Sequence, residues 1–147
     1  SNCDAFHMTQ PDFNAKMAIS CIEEALKKAC MDGVDYVNLH GTGTQANDKM
    51  EAKAVNLTLG FAYASSLKPQ IGHTLGAAGA IESAICAILC MQENSTLPPH
   101  VYDEEYDESL EAINLVKSGT KFDVKTAMSL SFAFGGDNAA IIFKRVR

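Results

Sequence analysis

The hydrophobic positions between Asn14 and Cys30 recur at steps of three and four residues, and the glutamates and lysines of this stretch fall between them. This spacing predicts an amphipathic helix that closes near Gly33. The next run, from Val34 to His40, is short and rich in β-forming residues. A loop of glycines and threonines separates it from a second helical pattern at about Asp48 to Leu59. Strand, tight loop and helix in this order favour an α/β fold.

An almost uninterrupted apolar run extends from Thr74 to Met91, after a piece at 63–73 that we expect to be extended and broken by Pro69 and Gly72. The apolar run predicts a third helix. Its length is near the lower limit for crossing a bilayer, but Glu82 and the small glycines within it argue against lipid surroundings. We therefore expect this helix to be buried inside a larger protein.

The C-terminal part of the chain predicts a β-hairpin. Residues 126–134 and 139–146 are rich in β-forming residues, and the turn Gly135–Asn138 joins them. The acidic, proline-bearing stretch 96–112 is typical of a solvated surface connection. Because no repeat, low-complexity tract or linker interrupts the chain, we expect residues 1–147 to form one domain.

Charge and cysteine content narrow the classes of partner and location. The 147 residues carry 12 Lys and Arg against 18 Asp and Glu, a net charge of −6, so the long-range field disfavours nucleic acid and membrane partners. The cysteines are odd in number and form no CxxC pair, and most lie in apolar helical patterns. We therefore expect reduced, buried thiols in a cytoplasmic protein. The cysteines are Cys3, Cys21, Cys30, Cys86 and Cys90.

Two histidines lie where α/β proteins bind ligands. His40 ends a predicted strand, and the ligands of α/β sheets bind outside the carboxyl ends of the strands. His73 opens the apolar helix, five residues after Lys68. A neutral imidazole at such a place can donate a hydrogen bond to negative charge that develops on a carbonyl oxygen. Together, His40, His73 and Lys68 favour a cluster that stabilises an oxyanion.

Acidic residues near these positions fit structural roles. Asp48 and Glu51 form a D-x-x-E pattern, which predicts that Asp48 caps a helix by accepting a hydrogen bond from the backbone N–H of Glu51. Glu82 lies inside an apolar helix, where a carboxylate needs a partner. Lys68 is the nearest candidate, so we expect an ion pair between Lys68 and Glu82 that orients the lysine.

The two histidines also fit a structural role or a metal site. A core histidine can be satisfied by a neighbouring carbonyl group, and His40 taken alone favours that structural role. A metal site would use His40, His73 and Asp48, but the chain has no HExxH or CxxC spacing. The loop after His40 also lacks the GxGxxG and GxxxxGK patterns of phosphate-binding loops. We expect no metal ion and no organic cofactor.

Three segments, taken together and in this order, resemble the C-terminal half of β-ketoacyl-acyl-carrier-protein synthases. They are HGTGT with NDKMEA (residues 40–52), SLKPQIGHTLGAAGAIES (66–83) and SFAFGGDNAAIIFK (131–144). The resemblance covers essentially the whole chain, and NDKMEA is most similar to the elongating KAS II type. It implies an α/β, thiolase-like fold. This chain would be the C-terminal half, one layer pair of βαβαβ type within the five-layer αβαβα arrangement.

The resemblance also implies a reaction. Synthases of this family condense a malonyl unit, with loss of carbon dioxide, with an acyl chain that the enzyme holds as a thioester. His40 and His73 match the two histidines that hydrogen-bond the malonyl thioester oxygen. Lys68 and Glu82 match the family's supporting pair. Phe134 matches a phenylalanine that shields the acyl site and whose backbone N–H helps to form the acyl oxyanion hole.

Further contacts are implied around these positions. The implied substrate-binding residues are Thr42, Thr44, Phe134 and Gly135, and the implied supporting acids are Glu82, Asp48 and Glu51. The family's nucleophilic cysteine lies in the N-terminal half, and none of the cysteines here stands in a matching context. The resemblance therefore implies that this polypeptide is inactive alone.

The implied partners follow from the same resemblance. They are the N-terminal half of the synthase, acyl carrier protein as the carrier of acyl and malonyl thioesters, and a second copy in the homodimer of the full enzyme. The alternative is a non-catalytic partner subunit comparable to chain length factors, which keep the fold without the chemistry. Because His40, Lys68 and His73 are all present, we favour the enzyme.

Overall fold

A six-stranded β-sheet forms the centre of the molecule in the computed structural model, which describes residues 1–4 and 6–146. The strands in chain order are β1 (Asn2–Cys3), β2 (Tyr36–Asn38), β3 (Tyr63–Ser65), β4 (Ser95–Thr96), β5 (Asn114–Leu115), β6 (Lys121–Phe122), β7 (Thr126–Phe132) and β8 (Asp137–Lys144). The large sheet has the order β1-β8-β7-β2-β3-β5, and β4 pairs with β6 separately. Strands β7, β2, β3 and β5 are parallel, whereas β8 is antiparallel to both of its neighbours.

Helices cover both faces of this sheet. They are α1 (Lys16–Ala29), α2 (Gln45–Leu59), the short α3 (Lys68–Ile71) and α4 (Ala78–Met91). Apolar side chains of α1 and α2 form the larger core cluster on one face, and those of α4 form a second cluster with Tyr36 on the other. Strand β2 lies between the two layers, so all three of its residues are buried and it shows no alternation of polar and apolar positions.

The first helix ends earlier than predicted. α1 begins at Lys16 and ends before Cys30, which has a left-handed backbone with φ of 53°. The prediction that Gly33 closes the helix is wrong, because the N–H of Cys30 already bonds back to the carbonyl of Lys27. The cysteine therefore takes the terminal position that sequence reasoning gave to glycine.

This early ending also changes the surroundings of one thiol. The cysteines are all free, and Cys21, Cys86 and Cys90 are buried as predicted. Cys30 was predicted on a buried helix face but is exposed, because the chain leaves the helix at this residue. Cys3, near the N-terminus, is exposed as well.

The piece at 63–73 is extended only at its start. β3 ends at Ser65, and the chain then forms the single turn α3, with Pro69 near its N-terminus, where a missing N–H leaves no hydrogen bond unmade. The predicted extended piece is therefore limited to β3, and the break comes as the turn α3, which contains Pro69 and ends before Gly72. A 3₁₀ turn at Leu75–Ala77 follows, so the third helix begins at Ala78 and not at Thr74.

α4 has one buried face and one exposed apolar face. Its buried residues are Ala78, Glu82, Cys86, Leu89 and Cys90. On the other face, Ile81, Ile88 and Met91 are 37%, 44% and 81% exposed. The chain itself therefore covers only half of a helix that is apolar nearly all round. Within residues 1–4 and 6–146, no helix is long and apolar enough to cross a membrane.

The predicted C-terminal hairpin is present, with its turn two residues earlier. β7 pairs with β8 from Thr126 opposite Lys144 to Phe132 opposite Asn138, so the turn is 133–136 instead of 135–138. Gly135 has φ of 86°, a region that residues with a side chain rarely adopt. β7 thereby lies beside β2, and its carboxyl end reaches the same edge of the sheet.

Candidate active site

The carboxyl ends of three neighbouring parallel strands meet at one edge of the sheet. His40 follows β2, Lys68 and His73 follow β3, and Phe134 follows β7. In the sheet these strands stand in the order β7-β2-β3. The segments that carry the predicted site residues are therefore adjacent in space although they are far apart in sequence.

The two histidines approach each other as predicted. Their ring centroids are 5.7 Å apart, and the ring planes are nearly perpendicular at 86°. His40 also contacts Phe132, the last residue of β7, with 6.0 Å between ring centroids. Phe132 is almost fully buried and was not singled out from the sequence. Phe132 packs against one side of the His40 ring, and the His73 ring lies near another.

Lys68 and Glu82 form the predicted ion pair behind these rings. The distance from Lys68 Nζ to Glu82 Oε1 is 2.6 Å, and their side chains are only 6% and 1% exposed. Burial raises the pKa of Glu82, and the hydrogen bond and charge of Lys68 lower it. Glu82 Oε2 is buried without a hydrogen-bond partner in the described part of the chain.

His40 stays neutral at pH 7. Burial above all, and after it the neighbouring Lys68 and His73, lower its pKa to about 4. His40 Nδ1 is buried and has no hydrogen-bond partner among the described residues. The other ring nitrogen, Nε2, is therefore the one available to a ligand.

His73 has a defined proton position. Its Nδ1 accepts a hydrogen bond from the backbone N–H of Leu75 at 3.1 Å. A neutral imidazole that accepts at Nδ1 carries its proton on Nε2. The side chain is exposed, and its Nε2–H is consequently free to donate to a bound molecule.

Glu51, one of the implied supporting acids, positions the backbone of the His40 loop, a contact that the D-x-x-E pattern did not predict. Its side-chain oxygen Oε1 accepts from His40 N at 2.6 Å, and Oε2 accepts from Gly41 N at 2.8 Å and from Asn47 Nδ2 at 3.0 Å. Burial raises the pKa of Glu51 and these hydrogen bonds lower it, with a net rise to about 7. A buried carboxylate in α2 thus fixes the loop that carries His40.

The predicted capping role of Asp48 is wrong. α2 begins at Gln45, and its N-cap is Thr44, whose Oγ1 accepts from Asn47 N at 3.4 Å. Asp48 lies inside the first turn, where a negative charge interacts favourably with the helix dipole. Its carboxylate accepts a hydrogen bond from the Asn47 side chain at 3.3 Å. The Oγ1 of Thr42 is 3.0 Å from that of Thr44, so the two predicted substrate contacts are hydrogen-bonded to each other.

The two remaining predicted substrate contacts lie in the β7–β8 turn. Phe134 is 80% exposed, and its ring is therefore free of the core. The N–H of Gly135 donates to the carbonyl of Met8 at 2.8 Å and is occupied by this internal bond. The turn therefore exposes an aromatic side chain, and its backbone is fastened to the N-terminal segment.

The metal alternative gains no support from the structure. Among residues 1–4 and 6–146, no group of three or more His, Cys, Asp or Glu side chains is arranged to hold a metal ion. The chemistry that the site offers is hydrogen-bond donation from neutral imidazoles beside a buried lysine.

Residues 1–102 match the family described as beta-ketoacyl synthase, C-terminal domain. The chain belongs to this family. The resemblance stated from the three sequence segments is thereby confirmed.

Curated relatives of the chain are condensing enzymes of several kinds of organism. The 3-oxoacyl-(acyl-carrier-protein) synthase 2 of Coxiella burnetii (strain RSA 493 / Nine Mile phase I) is 40% identical over 149 residues, which cover 97% of this chain and 36% of the relative. The mitochondrial 3-oxoacyl-(acyl-carrier-protein) synthase of Arabidopsis thaliana is 38% identical, and the match covers 97% of this chain and 32% of the relative. The chain thus spans about a third of the length of these relatives.

Solved structures confirm the thiolase-like α/β fold. A beta-ketoacyl synthase from Burkholderia phymatum STM815 superposes with a TM-score of 0.91 at 36% identity, over 99% of this chain and 36% of that one. A ketosynthase in complex with its chain length factor from Xenorhabdus doucetiae gives 0.88 at 38% identity, over 98% of this chain and 37% of the other. A type II polyketide ketosynthase solved with its acyl-carrier protein gives 0.89 at 30% identity, with coverage of 99% and 37%.

Proposed function

We propose that this chain forms the malonyl-binding part of a β-ketoacyl-acyl-carrier-protein synthase that elongates acyl chains in fatty acid or polyketide synthesis. The observation that carries the proposal is the distance of 5.7 Å between the ring centroids of His40 and His73. Two neutral imidazoles at this separation can donate to the same oxygen atom. Preorganised donors of this kind stabilise an oxyanion in a transition state.

The first chemical step needs such donors. The bond between the malonyl α-carbon and its carboxylate breaks, carbon dioxide leaves, and the electron pair forms an enolate whose charge lies on the thioester oxygen. The Nε2–H of His73 is set for donation, because Nδ1 accepts from Leu75. His40 assists as a second neutral donor. The α-carbon then attacks the acyl thioester carbonyl, and the enzyme thiolate leaves.

Lys68 acts in this proposal through its charge and not as a proton donor. It lies close enough to His40 to lower the pKa of that ring, and Glu82 holds its ammonium group in place. A neutral His40 avoids attracting the malonyl carboxylate, which must be released as uncharged carbon dioxide. Thr42, Thr44 and Phe134 stand near the entrance of the site in this scheme.

The nucleophile is expected outside this chain. Acyl transfer requires a thiolate at lowered pKa. Burial instead raises the pKa of Cys21 and Cys90, and it raises that of Cys86 to about 12. The pKa of the exposed Cys3 is also raised. These environments support a cysteine nucleophile in an N-terminal half that completes a cytoplasmic, homodimeric enzyme served by acyl carrier protein.

A chimeric synthase tests the proposal. This chain replaces the matching segment of the Coxiella burnetii 3-oxoacyl-(acyl-carrier-protein) synthase 2, whose remaining part supplies the nucleophile. The chimera should load an acyl group from acyl-carrier protein and condense it with malonyl-carrier protein, whereas the 147-residue polypeptide alone should do neither. Changing His40 or His73 to alanine should depress condensation far more than loading, because only condensation passes through the enolate.

The two half-reactions separate the outcomes. Intact-mass analysis measures acyl loading, and release of carbon dioxide measures decarboxylation. A chimera that loads normally but never condenses would favour the alternative, a subunit comparable to chain length factors. A stable acyl adduct on a cysteine of the isolated polypeptide would contradict the placement of the nucleophile.

A further inference from the structure

A hydrogen bond links His100, which lies outside the proposed active site, to the segments that form it. His100 Nδ1 accepts from the backbone N–H of Ser66 at 3.1 Å, across 34 residues of sequence. Ser66 is 1% exposed, so water does not replace this acceptor when it is lost. No sequence pattern singles out either residue.

Ser66 in turn connects the loop after β2 with the turn after β3. Its hydroxyl donates to the carbonyl of Gly41 at 3.0 Å and accepts from the N–H of Lys68 at 3.2 Å. Gly41 has φ of 45°, and a Cβ added to it would overlap the side chain of Ser66, 2.6 Å from Oγ. The two segments are thus in direct contact, and Ser66 sets the distance between them.

The backbone of His100 is itself held in place. The two residues before it, Pro98 and Pro99, have φ angles that their own rings fix. The N–H of His100 donates to the carbonyl of Val116 at 2.9 Å, and Gln70 Nε2 donates to the carbonyl of Pro99 at 2.9 Å. The ring therefore approaches Ser66 from a fixed position.

We propose that His100 is a positioning residue: its neutral ring holds Ser66, and through Ser66 the His40 and Lys68 segments, in the arrangement that oxyanion binding requires. The consequence for condensation rests on the proposed function, whereas the hydrogen-bonded link does not. Protonation of Nδ1 removes the acceptor, so the link breaks when His100 becomes a cation.

The groups around His100 set the pH at which its ring is protonated and the hydrogen bond to Ser66 is lost. Asp48 and Glu51 of α2, with Tyr102 and Tyr106, line the same cavity of about 220 Å³ as His100. The Tyr102 ring centroid lies 5.4 Å from that of His100. Burial lowers the pKa of His100, and the negative charge of Asp48 raises it in part.

The sign of the pH effect follows from that lowered pKa. The unfolded chain binds the His100 proton at higher pH than the folded chain does. The contribution to stability is therefore complete above the ordinary histidine value of about 6.5 and is lost as the pH falls through the folded value.

Two substitutions separate positioning from general packing. His100→Asn keeps an acceptor near the place of Nδ1 but does not titrate, and His100→Leu removes the acceptor. His7→Asn is the matched control, because His7 Nδ1 also accepts a backbone N–H, from Thr9 at 3.2 Å, but in an exposed turn. All variants are made in the 147-residue chain and followed by NMR between about pH 8 and about pH 4, from about 1.5 units above to about 2.5 units below the ordinary histidine value of about 6.5.

In the unsubstituted chain, the amide signal of Ser66 should titrate with the same midpoint as the His100 ring. In His100→Asn it should keep its neutral-pH position throughout. In His100→Leu it should be displaced at every pH, with amide exchange at Ser66 about tenfold faster, as expected for the loss of one hydrogen bond. If His100→Leu does not fold, the comparison of the unsubstituted chain with His100→Asn still tests the positioning role of His100.

Amide signals that ignore the His100 titration, or a His100→Asn variant that titrates like the unsubstituted chain, would overturn the proposal. In the chimeric synthase, His100→Leu should lower kcat with little change in KM. His100→Asn should restore kcat, and kcat should no longer fall at acidic pH through protonation of residue 100. The NMR experiment does not depend on condensation. It can therefore contradict the role of His100 while the proposed function holds, and it can support that role while the proposed function fails.

Discussion

Lys68 Nζ and Glu82 Oε1 lie 2.6 Å apart, and both side chains are almost completely shielded from water. The pair joins the turn after β3 to the N-terminal half of α4. It therefore fastens the segment that carries His73 to the helix that follows. Two opposite charges in such a place depend on each other, since either one alone would be a buried charge without compensation.

Removing only one charge of this pair should lower the free energy of unfolding more than removing both. Lys68→Met leaves Glu82 buried and unpaired, so we expect the free energy of unfolding to fall by about 3–5 kcal/mol. The double variant Lys68→Met with Glu82→Leu should recover most of that loss. Urea unfolding of the single and double variants measures both. A double variant as unstable as Lys68→Met would contradict the view that the unpaired charge dominates the cost.

Replacing the Glu51 carboxylate should loosen the His40 loop. Glu51→Gln sets an NH₂ group against one of the backbone N–H donors, so the free energy of unfolding should fall by about 1–3 kcal/mol, and amide exchange at His40 and Gly41 should accelerate. Glu23→Gln, on the exposed side of α1, is the control and should change stability by less than about 0.5 kcal/mol. If the two substitutions changed the free energy of unfolding and the amide exchange equally, the role assigned to Glu51 would be contradicted.

His40 should remain neutral far into the acidic range. NMR titration of its ring should give a midpoint near the pKa of about 4, which burial sets first and the Lys68 charge second. The unfolded chain binds this proton first, so the contribution of His40 to stability is complete above about pH 6.5 and is lost as the pH falls toward the folded value. Lys68→Met should move the midpoint upward. A midpoint at or above the ordinary histidine value would refute the assignment.

The exposed face of α4 should make the isolated polypeptide self-associate. Ile81, Ile88 and Met91 form an uncovered apolar surface, which a second copy can bury when no other segment does. Sedimentation should show association that Ile88→Glu abolishes. Phe61→Glu, at a residue 99% exposed outside α4, should leave association unchanged. A clean monomer across a wide concentration range would count against this prediction.

The sequence alone predicted the parts of the site that depend on local pattern and on burial. A β-prone run that ends in His40 predicts a ligand-facing histidine, because the carboxyl ends of parallel strands share one edge. The pairing of Lys68 with Glu82 followed from the rule that a carboxylate in an apolar helix needs a cation. The ion pair is present, and His40 lies at the predicted edge of the sheet close to His73. Contact of His40 with a ligand stays a prediction.

The start of α2 shows why other details needed the structure. Thr44 and Asp48 are both good capping residues, and nothing in the sequence decides between them. The path of the loop decides, because it brings the backbone N–H groups of His40 and Gly41 to Glu51 and so starts the helix at Gln45.

Only the tertiary structure brought His100 to Ser66. These residues are 34 positions apart, with α4 and the 3₁₀ turn between them, and no local periodicity relates them. The contact exists because β5 pairs with β3 and the backbone of His100 bonds to Val116 just beyond β5. Sequence pattern fixes which face of an element is apolar, but the order of strands in a sheet fixes which distant loops meet, and that order is a property of the whole packed chain.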